Sequence, residues 1–132
     1  MPWYQPLLYL WVAPASLIGL WPIPIVWLQG GRVAIVDGIL EVHGGFVTWF
    51  LNGGLPWSGP AAAMTLGHVV WGADRDCLDS SRAHERVHVD QYERWGPFFL
   101  PLYLGYSLVL GLRGFDPYRD NPFEQEAYEK AP

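Results

Sequence analysis

His84-Glu85-Arg86-Val87-His88 is the stretch on which the reading of the chain turns: an HExxH pentad set between a charged loop and a run of helical character. Residues four apart on a helix stand one turn above one another, so His84 and His88 can present imidazole nitrogens to one tetrahedral ion. Glu85 flanks the same ion. From that turn its carboxylate is placed to take a proton from a water rather than to serve as a third ligand. This is the pattern of a zinc hydrolase. The plain alternative is a charged surface helix, with Glu85 and Arg86 solvated and the histidines turned to a partner or to the core. A third protein ligand decides between the two.

The candidate lies in Asn121-Pro122-Phe123-Glu124-Gln125-Glu126-Ala127-Tyr128. Pro122 suits the first turn of a helix, Asn121 can cap it, and the acidic residues that follow favour its positive end. Glu124 falls near that start. With these residues the chain resembles the gluzincin metallopeptidases, whose HExxH helix is followed by a second helix with a glutamate ligand, often within Glu-x-x-Ala-Asp. Glu124-Gln125-Glu126-Ala127 matches the first four positions, while Tyr128 stands where aspartate is common and Val87 where a small residue often precedes the second histidine.

The likeness is closest to the minigluzincins and to the catalytic segments of larger membrane-bound gluzincins, and spans residues 65 to 130 at most. It implies a small zincin-like α+β domain with a short, mainly antiparallel sheet. It also implies a Zn²⁺ ion held by His84, His88 and Glu124, with Glu85 as general base and a peptide or protein as substrate.

Composition sets the surroundings. A chain of 132 residues supports one domain with a modest core. Eight tryptophans and only 16% charged residues make it greasier than ordinary soluble domains, which are about 25% charged. The net charge of −5, with no basic patch to offset it, argues against nucleic acid as a partner. Charge is unevenly placed, because only Arg32, Asp37 and Glu41 precede Asp74, and the rest fall in residues 74–94 and 113–130. Those two segments hold the proposed site. The single cysteine, Cys77, excludes an internal disulfide and reads as a bystander in a polar loop.

Residues 7–28 carry no charge and are long enough to cross a hydrocarbon core of about 30 Å as helix. Pro14, Pro22 and Pro24 interrupt the pattern, predicting a kink or an end near Trp21. With no basic run in front, residues 1–29 read as a retained membrane-associated segment, and Trp and Tyr near its ends suit bilayer interfaces. The bland alternative is a buried helix followed by an extended, proline-rich strand. Residues 97–112 form a second uncharged run, short for a complete span, which predicts a helix packed on the pentad helix or a segment lying in the interface.

Residues 30–132 then form the folded domain. Arg32–His43 reads as a hairpin about Asp37-Gly38, Phe46–Leu51 as a further strand, and residues 52–60 as a turn-rich loop. Thr65–Trp71 reads as one strand leading to the pentad, with its His68 either a spare cleft-facing imidazole or, the more ordinary role, satisfied by backbone. Asp79, Ser80 and Ser81 are the expected helix caps, and Gly96-Pro97 the stop, giving a helix of about 14 residues. His84, His88, Gln91 and Trp95 share one stripe of it. Arg113 and Arg119 are candidate carboxylate binders, with surface pairing the more ordinary role.

Three functions follow. The leading one is a membrane-associated zinc peptidase with membrane lipid around it. The second is a non-catalytic accessory subunit of a membrane-protein complex, or a homo-oligomer, in which the zinc site is structural or vestigial. The third is a soluble α+β protein without metal.

Overall fold

The computed structural model describes residues 3–53 and 61–131. The chain is α+β, built around a mixed four-stranded sheet. Helices α1 (Gln5–Leu20) and α2 (Ile23–Leu28) come first, separated by Trp21-Pro22, where the prolines predict the break. Strands β1 (Arg32–Val36) and β2 (Ile39–His43) form the expected antiparallel hairpin, with Val36 opposite Ile39. Its two central residues, Asp37 (φ 51°) and Gly38 (φ 80°), take the left-handed conformation that a two-residue I′ turn demands and that Asp-Gly supplies.

Phe46–Leu51 is not a strand. It lies in helix α3 (Gly45–Leu51), where Val47 and Leu51, four apart, are the buried residues. The aromatic and β-branched composition suggested a strand, but burial at helical spacing against Val69 and Trp71 wins. Of the expected loop over 52–60, residues 54–60 lie outside the described residues.

The predicted strand over 65–71 is two strands, β3 (Ala63–Leu66) and β4 (Val69–Gly72), paired antiparallel about Gly67-His68. Gly67 at φ 65° occupies the position where a II′ hairpin turn needs glycine. The sheet order is β1-β2-β4-β3, with β2 and β4 parallel at its centre. It is therefore mixed, two antiparallel hairpins joined by one parallel pairing. Both faces of β4 are covered, and all four of its residues are buried. Val69 and Trp71 point toward Val26, Val47 and Leu51, while Val70 packs with Ile39, Leu78 and Val89 on the other face.

Helix α4 (Arg75–Trp95) covers that second face. It is longer than expected, because Asp74 is the cap and accepts from the Cys77 amide at 2.7 Å. Ser80 and Ser81 instead donate to the Cys77 carbonyl within the helix. Two arginines on α4 clamp it to the first hairpin. Arg82 meets buried Glu41 through two bonds of 2.7 and 2.8 Å, and Arg86 donates to the Val36 carbonyl at 2.6 Å.

Gly96 ends α4 as predicted, and a single 3-10 turn leads into α5 (Phe99–Leu112). Phe99 joins Val12, Ala15 and Tyr92 in a separate core that ties α1 to α4, but it is the only buried residue of α5. The chain returns through residues 113–121 to α6 (Pro122–Lys130), capped by Asn121 as expected. The stretches Gln5–Leu28 and Arg75–Leu112 are long and apolar enough to cross a membrane.

Candidate metal centre

Two helices build the site. His84 and His88 lie one turn apart on α4, their ring centroids 5.0 Å from each other. Glu124 sits in the first turn of α6, which Asn121 fixes twice. Its side-chain oxygen accepts from the Phe123 amide at 3.0 Å, and its amide donates to the Tyr103 carbonyl at 3.1 Å and to Ser107 Oγ at 3.0 Å on α5. As a result Glu124 Oε1 stands 3.1 Å from His84 Nε2 and 3.0 Å from His88 Nε2. One donor atom from each of the three residues falls within 4.8 Å of the others, so the group can hold a metal ion.

The donor chemistry fits a zinc-like cation. Ligand atoms about 2.0–2.1 Å from a tetrahedral ion stand ~3.3 Å apart, close to the 3.1 and 3.0 Å separations of Glu124 Oε1 from the two imidazoles. His88 is already oriented for it. Its Nδ1 donates to Gln91 Oε1 at 2.9 Å, which leaves Nε2 to face Glu124. The Gln91 amide in turn donates to the Phe123 carbonyl at 2.9 Å and to Glu126 Oε1 at 2.8 Å, binding α4 to α6 behind the ligands. Tyr103 on α5 donates to the second oxygen of Glu124 at 2.5 Å, so Oε1 is the atom turned toward the histidines.

Electrostatics couple Glu124 to the two histidines. Burial opposes charge on Glu124, but hydrogen bonds from His84 and His88 outweigh it and lower its pKa to about 2. Burial likewise disfavours a charged His88, yet the bond and charge of Glu124 prevail and raise its pKa above the usual imidazole value. With both ring nitrogens donating, a proton on His88 stands where a metal would otherwise bind.

Glu85 faces the same cavity of about 1090 Å³ as His84, His88 and Glu124. Its Oε2 accepts from Thr65 Oγ1 at 2.5 Å, which anchors it to β3, an edge strand among the described residues. Burial pushes its carboxyl above the ordinary range, giving a group able to accept and return a proton. Tyr92 also lines the cavity, but it is 1% exposed and donates to the Thr65 carbonyl at 3.2 Å, a core role.

Other sequence candidates fall elsewhere. Trp95, on the expected stripe, is 42% exposed and does not line the cavity. Arg113 and Arg119 are outside its lining too. Buried His68 is held by a side chain rather than by backbone: its Nε2 pairs with Glu93 at 2.8 Å, away from the cluster. Glu126 pairs with Gln91, Arg94 and Lys130. Tyr128 packs its ring 4.5 Å from that of His84 and meets the Tyr118 hydroxyl at 3.0 Å. Sequence reasoning placed Gln91 on the right stripe without its bridging role, and gave no role to Thr65 or Tyr103. Only the helical spacing of 84, 88 and 91 carried a signal for any of these. Comparison with protein-family models, curated proteins and solved structures finds no match to this chain.

Proposed function

We propose that this chain is a small, membrane-associated, zinc-dependent peptidase of gluzincin-like type. The observation that carries the reading is the convergence of His84, His88 and Glu124 from two helices, with Glu85 in the same cavity and edge strand β3 along its wall. Bound zinc supplies Lewis acidity there, bringing a water's pKa to about 7 and polarising a carbonyl. Glu85 accepts the proton of the attacking water and delivers it to the leaving nitrogen. The water oxygen bonds to the carbonyl carbon first, and the C–N bond then breaks as the nitrogen takes the proton, leaving a carboxylic acid and an amine. Strand β3 offers its outer backbone edge to an extended peptide, which sets the scissile bond beside Glu85. Apolar residues exposed on α1, α2 and α5 support a membrane surrounding.

That same exposed surface also favours the second reading, an accessory subunit of a membrane assembly with a structural or vestigial site. Against it, His84, His88 and Glu124 form a three-residue group, and neither His68 nor Glu126 joins it. A closed structural site ordinarily has four protein ligands.

Zinc stoichiometry and peptide cleavage by the purified protein test the proposal. One zinc per chain is expected, lost in His88→Ala. Glu85→Gln is expected to keep its zinc while turnover falls about 10²–10⁴-fold. Cleavage that survives Glu85→Gln overturns the mechanism, and a chain that binds no zinc overturns the proposal.

A further inference from the structure

One wall of the cavity is α5, through Leu100, Tyr103 and Leu104. Residues four apart share a helical face, so Leu100, Leu104, Leu108 and Leu112 form a single stripe. Exposure climbs along it, from half-buried Leu100 to 57% at Leu104, 64% at Leu108 and 78% at Leu112. The stripe therefore leaves the cavity and continues onto the outer surface, on a helix with no charged residue between Phe99 and Leu112. The same cavity is lined by β3, an edge strand among the described residues, through Ala63, Met64, Thr65 and Leu66.

The two walls ask for different things. Leucines at the mouth are covered only by an apolar occupant, whereas the strand edge, where the Thr65 carbonyl already accepts from Tyr92, is matched at its other backbone groups by an extended peptide with amides and carbonyls to share. An acyl chain meets the first demand alone, and a polar peptide the second alone. Resting on the peptidase reading of this site, the geometry points to a membrane-held polypeptide as substrate. An apolar segment of it lies along the Leu104–Leu108–Leu112 stripe, and the adjoining residues extend along β3 toward Glu85. The substrate thus reaches the cluster from the lipid side of α5.

The test uses the full chain, loaded with zinc, in phosphatidylcholine vesicles. Two fluorogenic peptides share one scissile segment; one continues into an apolar anchor held in the vesicle, the other into a Gly/Ser tail. Native protein is expected to cleave the anchored peptide about tenfold faster or more. Leu108→Lys and Leu108→Ser are expected to remove most of that preference. Leu102→Lys, on the same helix but off the stripe, is expected to keep it. Photo-crosslinking of both peptides to the Glu85→Gln variant measures binding separately, and is expected to favour the anchored one. Equal cleavage and equal crosslinking of the two peptides overturns this inference and leaves the peptidase reading standing. So does a preference untouched by either Leu108 variant. Selective crosslinking with no cleavage of either peptide by native protein overturns the peptidase reading and leaves the binding route standing.

Discussion

Helices α4 and α5 are neighbours in the chain and invert the usual relation between hydropathy and burial. Charged residues recur through α4, yet Glu85, His88 and Gln91 on it are buried beside Leu78, Val87, Val89 and Tyr92. Uncharged α5 runs FLPLYLGYSLVLGL and buries only Phe99. The difference lies in partners. Glu85 has Thr65, His88 has Gln91 and Glu124, and Arg82 has Glu41, so the polar groups of α4 enter the protein already paired. The exposed leucines of α5, Leu102, Leu104, Leu108 and Leu112, have no such company among the described residues and are at home only against another apolar phase. Burial here follows the availability of partners, and the cavity lies at the seam between the two helices.

The comparison breaks most visibly at Arg82. Glu41 is 4% exposed and takes both Arg82 bonds, so Arg82→Ala leaves a buried carboxylate without its counter-charge. A loss of about 3 kcal/mol in unfolding free energy is expected. Leu112→Ser, on the exposed end of α5, is expected to change stability by less than ~0.5 kcal/mol in detergent micelles. Denaturant titration of both variants in the same micelles measures the contrast. Equal losses show that α5 packs as tightly as α4 and that the inversion is false.

Much of this is legible in the sequence, and the pattern of what is not is informative. The β1–β2 hairpin, the stop at Gly96 and the Asn121-Pro122 helix start rest on local chemistry, a turn or a cap, and the structure keeps all three. The start of α4 was misplaced because Asp74, Asp79, Ser80 and Ser81 are all competent caps. Burial of Leu78 against Ile39, Val70 and Val89 gives the extra turn its reward, a tertiary fact absent from any local window. The parallel β2–β4 pairing is likewise a long-range choice. At the site, helical spacing placed His84 beside His88, and a helix-start signature drew attention to Glu124. The supports were hidden, since Tyr103 lies in a run with no polar periodicity and Thr65 is on a strand read without a partner.

A smaller effect sharpens the α4 side of the comparison. Gln91 is wholly buried and holds His88 on one side and α6 on the other. Gln91→Leu keeps the volume near its original value but strands His88 Nδ1 and frees the imidazole to turn. Zinc affinity, read by chelator competition, is expected to fall about 10–100-fold. The structural-site reading and the peptidase reading share this expectation, so the measurement tests the arrangement of the cluster itself. Unchanged affinity means that His88 is oriented by something other than Gln91.

The smallest effect concerns the cap that lengthens α4. The backbone hydrogen bond from Cys77 holds the Asp74 carboxyl below the ordinary aspartate value. A carboxyl depressed in the folded chain stabilises that chain above its unfolded pKa, near 3.9 for aspartate, and loses the contribution as pH falls through the folded value. Asp74→Ala is therefore expected to melt slightly below native at pH 7. The gap should close progressively on acidification below about pH 4, as native loses the charged cap that the variant never had. Melting curves of both proteins across pH 2–7 measure it. A gap that stays constant to the acid end means the cap acts through shape rather than charge.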